Sequence, residues 1–176
     1  MQEMAIDLWD AYNRGHMCCI TINGYVRKDG QAVMGRGIAL QARRRFPGIA
    51  HRLGTQLGIL GNHVQFVAPR LLGFPVKPVQ GTSNGANVVA HMCKKFPPGS
   101  TVPGWAMLAD PCIIERSLLE VATMREPYGW GDVFLPRPGC GAGGLDWEAQ
   151  VKPLCEQYGD WLIVVTLPTN SLERKL

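Results

Sequence analysis

The chain has 176 residues, 46% of them hydrophobic and 18% charged, with a formal net charge of +4. These values fit one globular domain with a core of its own and exclude a disordered or fibrous chain. No apolar run approaches the ~18 residues of a membrane span, and the mild positive charge favours anionic ligands without establishing nucleic-acid binding.

The opening MQEMAIDLWD carries no basic segment followed by an apolar one, so no secretory leader is expected and the chain is expected to be cytoplasmic. Asp7 stands where an N-cap for LWDAYN would stand. HMCCITIN, residues 16–23, reads as a buried strand between Gly15 and Gly24. Residues 25–35 read as a loop with a turn at Asp29-Gly30. GIALQARRR then has a helical pattern that Pro47-Gly48 stops, and IAHRLGTQL reads as a second short helix. HVQFVAP and LLGFPVK read as two strands parted by Pro69-Arg70.

Residues 78–110 are rich in Pro, Gly, Ser and Asn, a long excursion from the core in which ANVVAHMCKKF is expected to form a short helix. PCIIERSLLEVATM has a helix start, with Asp110 as N-cap and Pro111 in the first turn. GDVFLP is a strand, LDWEAQVKPLCEQY a helix capped by Asp146 and bent or split by Pro153, and DWLIVVTLP the last strand. Strand and helix alternate, which predicts an α/β layered domain. The six cysteines are scattered and without the usual zinc spacings; reduced thiols are expected, and neither metal nor cofactor is.

Two glycine-rich segments carry the functional signal. Met34-Gly35-Arg36-Gly37 follows the first strong strand and opens a helix. Gly139-Cys140-Gly141-Ala142-Gly143-Gly144 follows a late strand and opens another. In α/β sheets ligands bind beyond the carboxyl ends of strands. Glycine lets the backbone come close to a ligand, and its N–H groups, with a helix dipole behind them, form an anion nest. Two such loops suit two phosphates, or a phosphate and a sugar. GxxxxGK[ST] is absent, which excludes a P-loop; GxGxxG at Gly139, Gly141 and Gly144 lies near the C-terminus rather than early, against a dinucleotide fold.

The segments ITINGYVRKDGQAVMGRGIALQARRRFPG (20–48), FPVK (74–77) and LPRPGCGAGGLDWEAQVKPL (135–154) together resemble the macro domain family. Within it they resemble the bacterial and phage branch that includes ADP-ribosyl hydrolases and enzymes acting on ADP-ribose 1″-phosphate. The match leaves out residues 78–104, which look like an insertion. The resemblance implies a single three-layer α/β/α domain with a central mixed sheet and an ADP-ribose cleft. It assigns Asp7 to the adenine amino group and Asn23 to the distal ribose. Met34, Gly35, Arg36, Gly37 and Ile38 fall to the first phosphate, and Gly139, Cys140, Gly141, Ala142, Gly143 and Gly144 to the second phosphate and distal ribose. Lys77 is the catalytic candidate, because a lysine at a comparable strand end faces the distal ribose in those hydrolases. The glutamate-directed members carry an aspartate two residues after Gly-Cys-Gly, where this chain has Gly143.

The expected partner is therefore ADP-ribose, free or attached to protein or DNA, bound by a monomer. Two other readings stand beside hydrolysis: an ADP-ribose reader without turnover, and a nucleic-acid-binding accessory using Arg43, Arg44 and Arg45. The arginine run lacks the interleaved aromatics of a stacking platform and reads better as a solvated helix face.

Overall fold

The computed structural model describes residues 1–168. Its main sheet has six strands: β1 (Gln2–Ala5), β2 (Met17–Ile22), β3 (Gln65–Ala68), β4 (Leu71–Pro75), β7 (Val133–Pro136) and β8 (Leu162–Thr166). The order across the sheet is β1-β8-β7-β2-β4-β3. All neighbours are parallel except β3, which runs antiparallel to β4, so the sheet is mixed as expected.

The period-two alternation of β2 explains the layering. Cys18, Ile20 and Ile22 face one side, where α1 (Leu8–Asn13), α2 (Gly37–Arg45) and α3 (Ile49–Leu60) supply Leu8, Ala42 and Leu53. Met17 and Cys19 face the other, where α4 (Pro111–Tyr128) supplies Ile114, Leu118 and Val121, and α5 (Lys152–Glu156) supplies Cys155. A sheet with apolar residues on both faces needs a helical layer on each. The result is the expected α/β/α sandwich.

Asp7, Asp110 and Asp146 accept hydrogen bonds from the N–H groups of Trp9, Cys112 and Ala149, capping the segments that follow. Pro153 has the predicted effect: residues Trp147–Val151 form a π-helical turn, and the α-helix α5 is short. A proline lacks the N–H that a regular helix would use there. At the β3–β4 turn Arg70 adopts φ 54°, the one non-glycine positive φ among the described residues.

One expectation needs correction. ANVVAHMCKKF does not form a helix of its own length; only a 3₁₀ turn occurs there, at Ala90–Met92. Asn84 and Asn87 draw nearby N–H groups into local turns, the side-chain competition that disfavours a helix. Instead residues 78–107 fold back on themselves through a small antiparallel pair, β5 (Gln80–Thr82) with β6 (Thr101–Pro103). The strand β1 is also unannounced by the sequence. Its four residues are all exposed, so no burial pattern marks them, and pairing with β8 alone makes them a strand.

Among the described residues no helix is long and apolar enough to cross a membrane. Removing the α4 cap with Asp110→Ala is expected to cost about 1 kcal/mol, which lowers Tm by roughly 2–4 °C in a domain of this size. Thermal unfolding checks this.

Candidate functional site

Parallel pairing of β7, β2 and β4 sends their carboxyl ends to one edge of the sheet. That edge carries a cleft of about 360 Å³, within the range of small-molecule sites. Its walls are Asn23 after β2, Lys77 after β4, residues 35–39 at the start of α2, and the 139–143 loop after β7. Both glycine loops and the predicted lysine therefore meet in one place.

The second loop is folded with its carbonyls inward. Gly139 O accepts from Leu145 N, Gly141 O from Gly144 N, Gly143 O from Ala109 N, and Ala142 O from Lys77 Nζ at 2.8 Å. The N–H groups of Gly141 and Ala142 take part in none of the hydrogen bonds among the described residues. This is the polarity of an anion nest, with acceptors spent on the protein and donors left over. In the first loop, α2 starts at Gly37 with no side-chain cap, unlike α1 and α4. Its first residues, Gly37, Ile38 and Ala39, line the same cleft, and a helix N-terminus favours negative charge.

The glycines divide by task. Gly37, Gly139 and Gly144 have positive φ, and Gly143 has no room for a side chain: its Cβ would collide with the Gly139 carbonyl and lie 2.7 Å from Ala109 Cβ. The fold alone explains these four. Gly35 and Gly141 have neither a positive φ nor any atom within 4 Å of a Cβ, yet both line the cleft. Nothing among the described residues requires glycine at those two positions.

Lys77 is only 5% exposed. Its Nζ donates to Ala142 O at 2.8 Å and reaches Trp105 O at 3.4 Å. Burial, with a smaller contribution from the Arg36 charge, lowers its pKa to about 8. The amine thus titrates near the physiological range, where a lysine can act as base or nucleophile. Asn62 donates to the Lys77 carbonyl at 2.9 Å, fixing the backbone behind it.

The other expected residues fall in two groups. Asn23, Arg36 and Ile38 line the cleft; the Asn23 amide also braces its own loop, donating to Val33 O and accepting from Tyr25 N. Asp7, Met34, Cys140 and Gly144 do not line it. The Asp7 carboxylate is engaged with Trp9 N, Met34 is 1% exposed within the core, and Cys140 Sγ contacts the Pro138 carbonyl. Arg43, Arg44 and Arg45 lie in the last turn of α2, exposed and away from the cleft lining.

Sequence reasoning passed over Arg137, although it stands inside the PRPGCG segment. It lines the cleft, donates to Glu3 at 2.9 Å and lies 4.8 Å over the Trp147 ring. Glu3, whose pKa is lowered chiefly by that hydrogen bond, so ties the edge strand β1 to the second loop. Sequence reasoning also passed over Val89, His91, Met92 and Trp105, a wall contributed by the excursion. No sequence pattern signals that wall, because only the folding back of β5 and β6 brings it to the cleft. Among the described residues that line the cleft there is no aspartate or glutamate.

No protein-family model and no curated protein matches the chain in sequence. Solved structures do match its fold. The macrodomain of Mycobacterium tuberculosis DarG aligns with a TM-score of 0.62 at 21% identity, over 96% of this chain and 97% of that one. The macrodomain of Thermus aquaticus DarG aligns with a TM-score of 0.61 at 19% identity, over 95% and 97%. Thermosipho africanus DarTG in complex with ADP-ribose aligns with a TM-score of 0.62 at 18% identity, over 93% of this chain and 40% of that longer one. With its mixed six-stranded sheet between two helical layers and near-complete alignment to such domains, this chain has the macrodomain fold.

Proposed function

We propose that the cleft binds ADP-ribose and that the protein hydrolyses a bond at its anomeric carbon, either an ADP-ribosyl linkage to protein or DNA or the phosphate ester of ADP-ribose 1″-phosphate. The observation that carries this reading is Lys77: a buried amine, lowered to about pKa 8, hydrogen-bonded to the second glycine loop in the cleft that the first also lines. The loops supply donors for a diphosphate, and Asn23, Arg36 and Gly141 surround the space beside them. A diphosphate fixed in this way presents the distal ribose to Lys77, so that little orientational entropy remains to be lost in the reaction. The neutral amine then takes a proton from the attacking water or itself attacks C1″.

Gly143 supports a site without a carboxylate partner. No side chain fits at that position, so the aspartate of the glutamate-directed hydrolases has no counterpart in this loop. The fold likeness to a DarG macrodomain and to DarTG in complex with ADP-ribose agrees with this reading.

Binding is tested first. ADP-ribose is expected to bind at least tenfold more tightly than AMP by calorimetry, since AMP engages only one phosphate loop. Gly35→Val and Gly141→Val are each expected to weaken ADP-ribose binding at least tenfold while leaving Tm within about 2 °C, a surface-like stability effect of under ~0.5 kcal/mol. Equal affinity for AMP, or normal binding by both variants, would show that the loops do not grip a diphosphate.

Turnover is tested on a panel of ADP-ribosylated protein, ADP-ribosylated DNA and ADP-ribose 1″-phosphate. Lys77→Ala is expected to slow the reaction at least tenfold, a loss of about 1.4 kcal/mol of transition-state stabilisation, with ADP-ribose affinity changed less than threefold. A wild-type protein that binds ADP-ribose and cleaves nothing would instead be a reader module.

The pH dependence follows from the direction of the Lys77 shift. With an aryl ADP-riboside whose phenolate departs unaided, the rate is expected to rise with pH and level off above about 8, as the amine loses its proton. A profile that falls through that range would make the ammonium the active form. Stability reports the same titration independently of activity. Between pH 8 and 10.5 the unfolded chain keeps a proton that the folded chain has lost. Wild-type stability relative to Lys77→Met is therefore expected to rise across that window, as denaturant titrations at several pH values would measure.

A further inference from the structure

The excursion of residues 78–107 is fastened to the cleft rather than hung beside it. Gly104 N donates to Val79 O at 2.7 Å, and a Cβ at Gly104 would lie 2.8 Å from the Asn23 carbonyl, so its base is pressed against the end of β2. It has a core of its own, in which Val102, Ala106 and Met107 are buried and Met92, Phe96 and Trp105 pack against them. The 3₁₀ turn at Ala90–Met92 is held through Val89 N to Ala106 O at 2.9 Å. Trp105 connects this core to the reaction centre, because its carbonyl faces Lys77 Nζ. The turn that carries His91 is thus set against the same wall that Lys77 touches, and His91 lines the cleft.

The chemistry of the lining leaves few proton carriers. Among the described residues, no aspartate, glutamate, tyrosine or cysteine lines the cleft. Arg36 and Arg137 do, and guanidinium groups stay protonated. That leaves Lys77 and His91, and imidazole is the side chain suited to proton transfer near neutral pH. Among the described residues, Arg36, Lys77 and Arg137 are the charged side chains that line the cleft with His91, and Lys94 and Lys95 follow it in the chain. We propose that His91, carried to the cleft by the 78–107 wall, donates the proton that the departing group takes when its bond to the anomeric carbon breaks.

This rests on the hydrolase reading above. The bond from C1″ to the departing atom breaks, and its electron pair leaves on that atom, which takes a proton from the His91 imidazolium. Water forms the new bond to C1″ and gives its proton to the neutral Lys77 amine. The cycle closes when Lys77 returns a proton to solvent and His91 recovers one. Water is the only co-reactant.

Two aryl ADP-ribosides of one shape separate this role from a structural one. A para-nitrophenolate is a weak base and departs without a proton; a para-methoxyphenolate is far more basic and needs one. His91→Gln is expected to slow the methoxyphenyl substrate at least tenfold more than the nitrophenyl substrate. With the wild type, the methoxyphenyl rate is expected to fall at alkaline pH while the nitrophenyl rate does not, and the variant is expected to lose that fall. Added imidazole is expected to restore methoxyphenyl cleavage by His91→Ala. Because His91 is exposed, both variants are expected to keep the wild-type Tm. Equal slowing of both substrates, or no slowing, would overturn the proton-donor role while leaving the hydrolase reading intact, provided that Lys77→Ala remains slow. A wild type that cleaves neither these substrates nor the natural panel would overturn both readings.

Discussion

The parallel pairing of β7, β2 and β4 is the constraint on which the rest depends. Parallel neighbours need crossovers, and each crossover returns the chain to the same starting edge. Their carboxyl ends therefore collect on the opposite edge, where Asn23, Lys77 and the second glycine loop emerge side by side although they lie at residues 23, 77 and 139–144. The two helical layers that cover the apolar faces hold this arrangement in register. The cleft is a consequence of topology, and its chemistry depends on what each strand end happens to carry.

Lys77 illustrates how that position is used. Burying an ammonium is costly, and the chain offsets only part of the cost with two carbonyls, Ala142 O at 2.8 Å and Trp105 O at 3.4 Å. Among the described residues no carboxylate lines the cleft to neutralise the charge, and Arg36 opposes it, so the amine sheds its proton more easily than a solvated lysine. A buried salt bridge would have stabilised the cation and removed the base. In the proposed reaction, therefore, the missing carboxylate is part of what keeps the nitrogen reactive. The same hydrogen bonds also join β4, the second loop and the excursion at one atom, which couples the three walls of the cleft.

Much of this was legible in the sequence, for physical reasons that can be named. The short apolar run in HMCCITIN marked a buried strand, and Asp110-Pro111 marked the start of α4. The glycine loops announced close backbone approach. What a glycine is for was not legible: Gly141 and Gly143 stand two positions apart, yet one is open to the cleft and the other is fixed by a neighbouring carbonyl. Asp7 reads equally as a cap and as a ligand group; the structure engages it as a cap. Strand β1 escaped notice because four exposed residues bury nothing, and the 90–92 wall because its position follows from pairing between residues 80–82 and 101–103. Periodicity reports burial, and these segments owe their places to backbone hydrogen bonds or to contacts far along the chain.

The electrostatic character of the cleft follows from the same separation of tasks. Among the described residues its charged side chains are all cationic, and its backbone contributes N–H dipoles at the second loop and at the start of α2. Such a lining attracts an anion through two independent sources, one fixed in the backbone and one dependent on side-chain protonation. The backbone source persists at any pH, so holding a diphosphate does not require Lys77 to remain charged. A site that relied on lysine for binding could not also deprotonate it without losing its ligand. In the proposed complex, an anion held by loop and helix N–H groups would leave Lys77 free to titrate, and this is why two glycine loops and a buried lysine make chemical sense together.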